Sequence, residues 1–107
     1  MIDIKKENND SYRFVVTSEE GNALLESIPF PTKKELDTTV KKLSPLMKKP
    51  SVFERTTNHN GQFQFTLKDT SGSIIGSSNT YTSEAGMENG ITNVRKRIAF
   101  LNRSKTL

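Results

Sequence analysis

The chain has 107 residues, 32% of them apolar, with no cysteine, no tryptophan and a formal net charge of +4. That length suits one small domain able to bury a core without staples. The missing cysteines exclude a disulfide framework and any thiolate-held zinc or iron–sulfur centre. The opening residues, Met1 to Asp10, hold no apolar signal-type stretch, and no apolar run is long enough to span a membrane. The expectation is a single cytoplasmic domain over residues 1–107.

Displaced by 51 residues, the chain matches itself without a gap, residues 2–47 lying over residues 53–98. Twelve apolar positions of the second copy, from Phe53 to Ile98, meet eleven apolar partners; only Lys34, opposite Ala85, is polar. Gly21 lies over Gly72, Ser27 over Ser78 and Thr32 over Ser83. This pattern predicts a tandem duplication with a more diverged first copy.

Within a copy, the elements follow from periodicity. The β-branched and aromatic stretch 52–57 reads as a strand, with residues from Ile2 its counterpart. Asn58-His59-Asn60-Gly61 reads as a hairpin turn, with Asn8-Asn9-Asp10 in its place in the first copy. Phe63-Gln64-Phe65-Thr66-Leu67 alternates with period two, as does Tyr12 to Val16 apart from Val15. Turns ending in Gly21 and Gly72 lead to third strands over 22–27 and 73–78. The period then changes. Met87, Ile91, Val94, Ile98 and Leu101 form a helical stripe behind a Ser83 cap. Leu36, Val40 and Leu43 do so behind the capping box Thr32-Lys33-Lys34-Glu35, and Pro45 should stop that helix near Ser44. Gly86 and Gly90 suggest a close backbone approach, most simply to the sheet. The expected fold is α+β: two β-β-β-α repeats sharing one antiparallel sheet, with both helices on one face.

The second copy also carries a recognisable motif. Phe53-Glu54-Arg55, Asn60 to Lys68, Gly72, Ile75-Gly76-Ser77-Ser78, Tyr81-Thr82-Ser83, Gly86 to Ile91 and Val94 closely resemble the YegP-like family of small bacterial proteins of unknown function. The first copy keeps the apolar frame but has Glu35 and Thr39 at the helix-glycine positions. The resemblance implies three strands, a helix and a further strand per repeat, with last strands exchanged within a chain or between two. It brings no activity, cofactor or catalytic residue. The stretch 99–107 departs from the family's turn and strand, leaving open a longer helix or a frayed basic tail.

The search for chemistry is short. His59, the single histidine, falls in a turn, and no acid–base pair or nucleophile elbow is recognisable. The hydroxyl-rich run Ser77 to Ser83 reads as a strand end and helix cap. No catalytic residue, metal or cofactor is expected. Charge is the one feature with functional colour. Residues 51–107 hold seven basic and four acidic residues, and Arg95, Lys96, Arg97, Arg103 and Lys105 cluster without an acid. The leading expectation is a non-enzymatic interaction or structural protein, with an unknown protein partner or self-association as monomer or homodimer. The alternative is a nucleic-acid-binding module using those five residues and the polar sheet face.

Overall fold

The computed structural model describes residues 2–7 and 10–105. Three strands come first: β1 (Ile2–Lys6), β2 (Tyr12–Thr17) and β3 (Ala23–Ser27), followed by helix α1 (Lys33–Leu46). A short 3₁₀ turn (Pro50–Val52) leads to β4 (Phe53–Thr57), β5 (Phe63–Lys68), β6 (Ile74–Ser77) and helix α2 (Glu84–Lys105). The six strands form one sheet in the order β1-β2-β3-β6-β5-β4, antiparallel throughout. Each set of three is a meander, and the two meet at the centre.

Local chemistry explains the turns. Gly61 has φ of 75°, and its N–H donates to the Asn58 carbonyl at 3.1 Å. Its counterpart in the first meander is Asp10, at φ of 61°, with its N–H on the Glu7 carbonyl at 3.2 Å. Aspartate is among the few side chains that tolerate this left-handed region. Asn8 and Asn9 of the expected turn lie outside the described residues. The registers also recur 51 residues apart: Ile2↔Val16 and Phe53↔Leu67, Val15↔Glu26 and Thr66↔Ser77, with a bulge at Val16/Thr17 and another at Leu67/Lys68.

One core joins the halves. Phe14, Val16 and Leu25 of the first meander pack with Phe65, Leu67 and Ile75 of the second, beneath Leu36 and Leu43 of α1 and Met87, Ile91, Val94 and Ile98 of α2. Both helices thus cover the same face. Two buried serines help build it. The Ser27 hydroxyl accepts from Phe14 N–H at 2.9 Å and donates to the Ile28 carbonyl at 2.8 Å. Ser78 repeats this with Phe65 N–H at 3.0 Å and the Asn79 carbonyl at 2.7 Å. Each hydroxyl satisfies a strand amide that the ladder leaves free.

Two sequence expectations need correction. Pro45 does not end α1 at Ser44; the helix continues to Leu46, with Met47 as its C-cap. Proline's φ suits a helix, and so near the end its missing N–H removes only one intrahelical bond. The glycines of α2 do not face the sheet first: a Cβ on Gly86 would meet Ser83 Oγ at 3.1 Å, and one on Gly90 would meet the Tyr81 ring before Phe65 of β5. A Cβ on Gly90 would stand 2.4 Å from Tyr81 Oη and 2.8 Å from Cζ. Tyr81 precedes the helix, pairs with Phe63 in an isolated bridge and stacks on Phe65 at 6.2 Å. Of the alternatives left open for residues 99–107, the described part takes the longer helix: residues 99–105 extend α2 to Lys105.

Candidate interaction surface

The second half of α1 and the turn after it read Lys41-Lys42-Leu43-Ser44-Pro45-Leu46-Met47-Lys48-Lys49. Helical spacing turns Leu43 and Leu46 into the core and leaves all four lysines exposed. At the sheet centre, Ile28 N–H donates to the Ile75 carbonyl at 2.9 Å, which brings the end of β3 beside the start of β6. Ile28 and Ile74 both remain exposed there, at 39% and 50%. Between these isoleucines, α1 and the β5–β6 turn runs a groove of about 470 Å³. Thr39 and Lys42 of α1, with Lys49 just after the helix, line one wall. Neither lysine has an ion pair among the described residues.

Asp69 stands on the opposite wall but is turned to its own loop. Its Oδ1 accepts from Ser71 Oγ at 2.6 Å, Ser71 N–H at 2.9 Å and Ser73 N–H at 3.0 Å. The serine hydroxyl, above all, holds this carboxyl below the usual carboxylate range. Asp69 therefore shapes the turn, while the unpaired charge along the groove is that of the two lysines.

A groove of about 390 Å³ occupies the corresponding place in the other half, between the β2–β3 turn and α2. It is polar, lined by Ser18, Glu19, Glu20, Asn93, Lys96 and Arg97. The basic cluster at the end of α2 is divided here. Arg97 Nε donates to the Thr17 carbonyl at 3.1 Å, and its Nη1 lies 3.9 Å from Glu19. Arg95 Nη1 donates to the Met47 carbonyl, with its guanidinium 4.7 Å above the Phe53 ring. It thereby supplies a cation at the C-terminus of α1, where that helix has none of its own. Lys96 is exposed, and the Arg103 and Lys105 side chains lie outside the described residues.

His59 is exposed in its turn, and the Ser78 hydroxyl is committed to two structural bonds. No group of three metal-ligating side chains converges among the described residues, and no described helix is long and apolar enough to cross a membrane. The lysines at 41, 42, 48 and 49 were visible in the sequence as an acid-free run. The isoleucines were not, because only the β3–β6 pairing brings residues 28 and 74 together.

Comparison with known proteins agrees with this architecture. A family model described as a domain of unknown function (DUF1508) matches residues 58–99. The UPF0339 protein YegP of Escherichia coli K12 is 28% identical over 94 residues, 88% of this chain and 86% of the relative. A UPF0339 protein of Pseudomonas aeruginosa is 27% identical over 93 residues, 87% of this chain and 84% of its own. The solution NMR structure of E. coli yegP, a protein of unknown function, superposes with a TM-score of 0.84 at 27% identity, covering 91% of this chain and 84% of that one. A UPF0339 protein of Shewanella oneidensis shares the fold at a TM-score of 0.87 and 24% identity, over 92% and 83% of the two chains. With its six-stranded sheet, its two helices and the matched motif of its second half, the chain is similar in sequence and fold to the YegP-like proteins of unknown function.

Proposed function

We propose that this chain is a non-enzymatic interaction protein that binds an acidic, aliphatic segment of a partner protein in the groove along α1. The observation that carries the reading is the pairing of two exposed isoleucines, Ile28 and Ile74, with the unpaired Lys42 and Lys49. Exposed apolar side chains grouped at a concave surface are characteristic of binding sites. Lysines beside them favour carboxylate-bearing partners and disfavour basic ones.

A peptide of alternating leucine and glutamate, titrated into the protein by NMR, tests this. Amide shifts should centre on Ile28, Thr39 and Ile74. Ile74→Asp and the double change Lys42→Glu/Lys49→Glu should each weaken binding about tenfold or more. Lys96→Glu, in the other groove, should leave it unchanged. Shifts elsewhere, or binding indifferent to these substitutions, would count against the reading. So would a turnover activity abolished by a single substitution in the groove.

The second reading, nucleic-acid contact through Arg95, Lys96, Arg97, Arg103 and Lys105, makes a separate prediction: salt-dependent binding of single- or double-stranded DNA or RNA that weakens when Lys96 is neutralised. Arg95 and Arg97 would have to leave intramolecular partners to take part. We further propose that the chain is a tandem duplication. Registers, bulges and the Ser27 and Ser78 bonds that recur 51 residues apart support this.

A further inference from the structure

We infer that two copies of this chain pair through their β1 edges, antiparallel and centred on Ile4, into one continuous sheet. Among the described residues, both outer strands, β1 and β4, present an open edge. Which amides point outward follows from the ladder. Tyr12 exchanges both its backbone bonds with Phe30, at 2.8 and 2.7 Å, so its polar groups face away from β1. Hydrogen-bonding direction alternates along an antiparallel strand. Arg13 and Val15 therefore face β1, and their partners Lys5 and Asp3 spend their amides inward. Ile2, Ile4 and Lys6 keep N–H and C=O groups directed at the open edge.

Charge then selects the register. A twofold pairing centred on Asp3 sets aspartate against aspartate, and one centred on Lys5 sets lysine against lysine. Like charges directly opposite are destabilising. Centred on Ile4, Asp3 of each copy faces Lys5 of the other, Ile4 faces Ile4, and Ile2 faces Lys6. This register also places the outward amides of Ile2, Ile4 and Lys6 in hydrogen-bonded pairs. Neither Asp3 nor Lys5 has an ion pair among the described residues, so both are available. Ile4 is 46% exposed, whereas Ile2, on the same face, packs against the core. The equivalent pairing at the other edge opposes Arg55 with Arg55, and there Arg55 is already engaged by Glu88.

Sedimentation velocity and amide shifts of the full chain, from micromolar to millimolar concentration, test the inference. The wild type should dimerise with concentration, with shifts confined to β1 and its surroundings. Asp3→Lys should weaken the dimer about tenfold or more, because two cross-copy pairs turn repulsive at once. Asp3→Lys/Lys5→Asp should restore it by exchanging the charges. Ile4→Pro removes an outward N–H without touching the β1–β2 ladder and should give a monomer with an unchanged melting temperature; if that variant unfolds, the charge exchange decides alone. A monomer at every concentration overturns the inference. So does a dimer indifferent to Asp3→Lys, or a double variant no better than the single one.

Discussion

Ser27 is the residue where polarity and burial meet most sharply: it is 2% exposed, and its hydroxyl both accepts and donates. Ser27→Ala would keep the volume close to native but strand the Phe14 amide inside the core. An orphaned buried amide costs about 1–3 kcal/mol. The expected outcome is a melting temperature lower by roughly 5–15 °C in a domain of this size, read by calorimetry. Ser78→Ala should behave alike, since Ser78 holds Phe65 in the same way. A serine placed as these are is a structural member, and activity assays on either variant should first be corrected for lost fold.

At the scale of elements, the two helices solve one packing problem in opposite ways. Beneath α2, Gly90 gives way to the hydroxyl end of Tyr81. Beneath α1, Phe30 has no hydroxyl, stacks on Phe14 at 6.3 Å, and the corresponding helix position carries Thr39. Gly90→Ala is expected to lower stability by about 1–3 kcal/mol through overpacking, despite a better helix propensity. Adding Tyr81→Phe should recover part of that loss, and urea unfolding of the single and double variants measures it. Much of this architecture was legible in the residues. The alternation from Phe63 to Leu67 and the stripe from Met87 to Ile98 dictate their elements locally. The Gly90 contact was not, because spacing reports that something is close but not what. The α1 groove was legible only in its lysine run, since its apolar floor depends on the order of the central strands.

For the molecule as a whole, the Arg55–Glu88 pair links the outer strand β4 to α2, with Arg55 Nη2 donating to Glu88 Oε1 at 3.0 Å. The hydrogen bond from Arg55, and then its charge, hold the Glu88 carboxyl below its ordinary value. A carboxylate depressed in the folded state adds stability above its unfolded pKa and loses it as pH falls through the folded one. The pair is surface-exposed and its worth at neutral pH is small. Glu88→Gln should therefore change neutral stability little and flatten the decline that sets in as pH falls below the ordinary glutamate range, as followed by urea titrations at each pH.

The central pairing of β3 with β6 has a kinetic consequence. Every other strand contact joins neighbours in sequence, whereas Glu26 meets Ser77 only after the chain has closed a long loop. Closing a loop of that length costs on the order of 3–4 kcal/mol of chain entropy before any contact repays it. Each meander is built from short-range contacts that form early. The expected rate-limiting step is therefore the closure that brings Glu26 to Ser77, checked by substitutions at these two positions, which should slow refolding more than they speed unfolding.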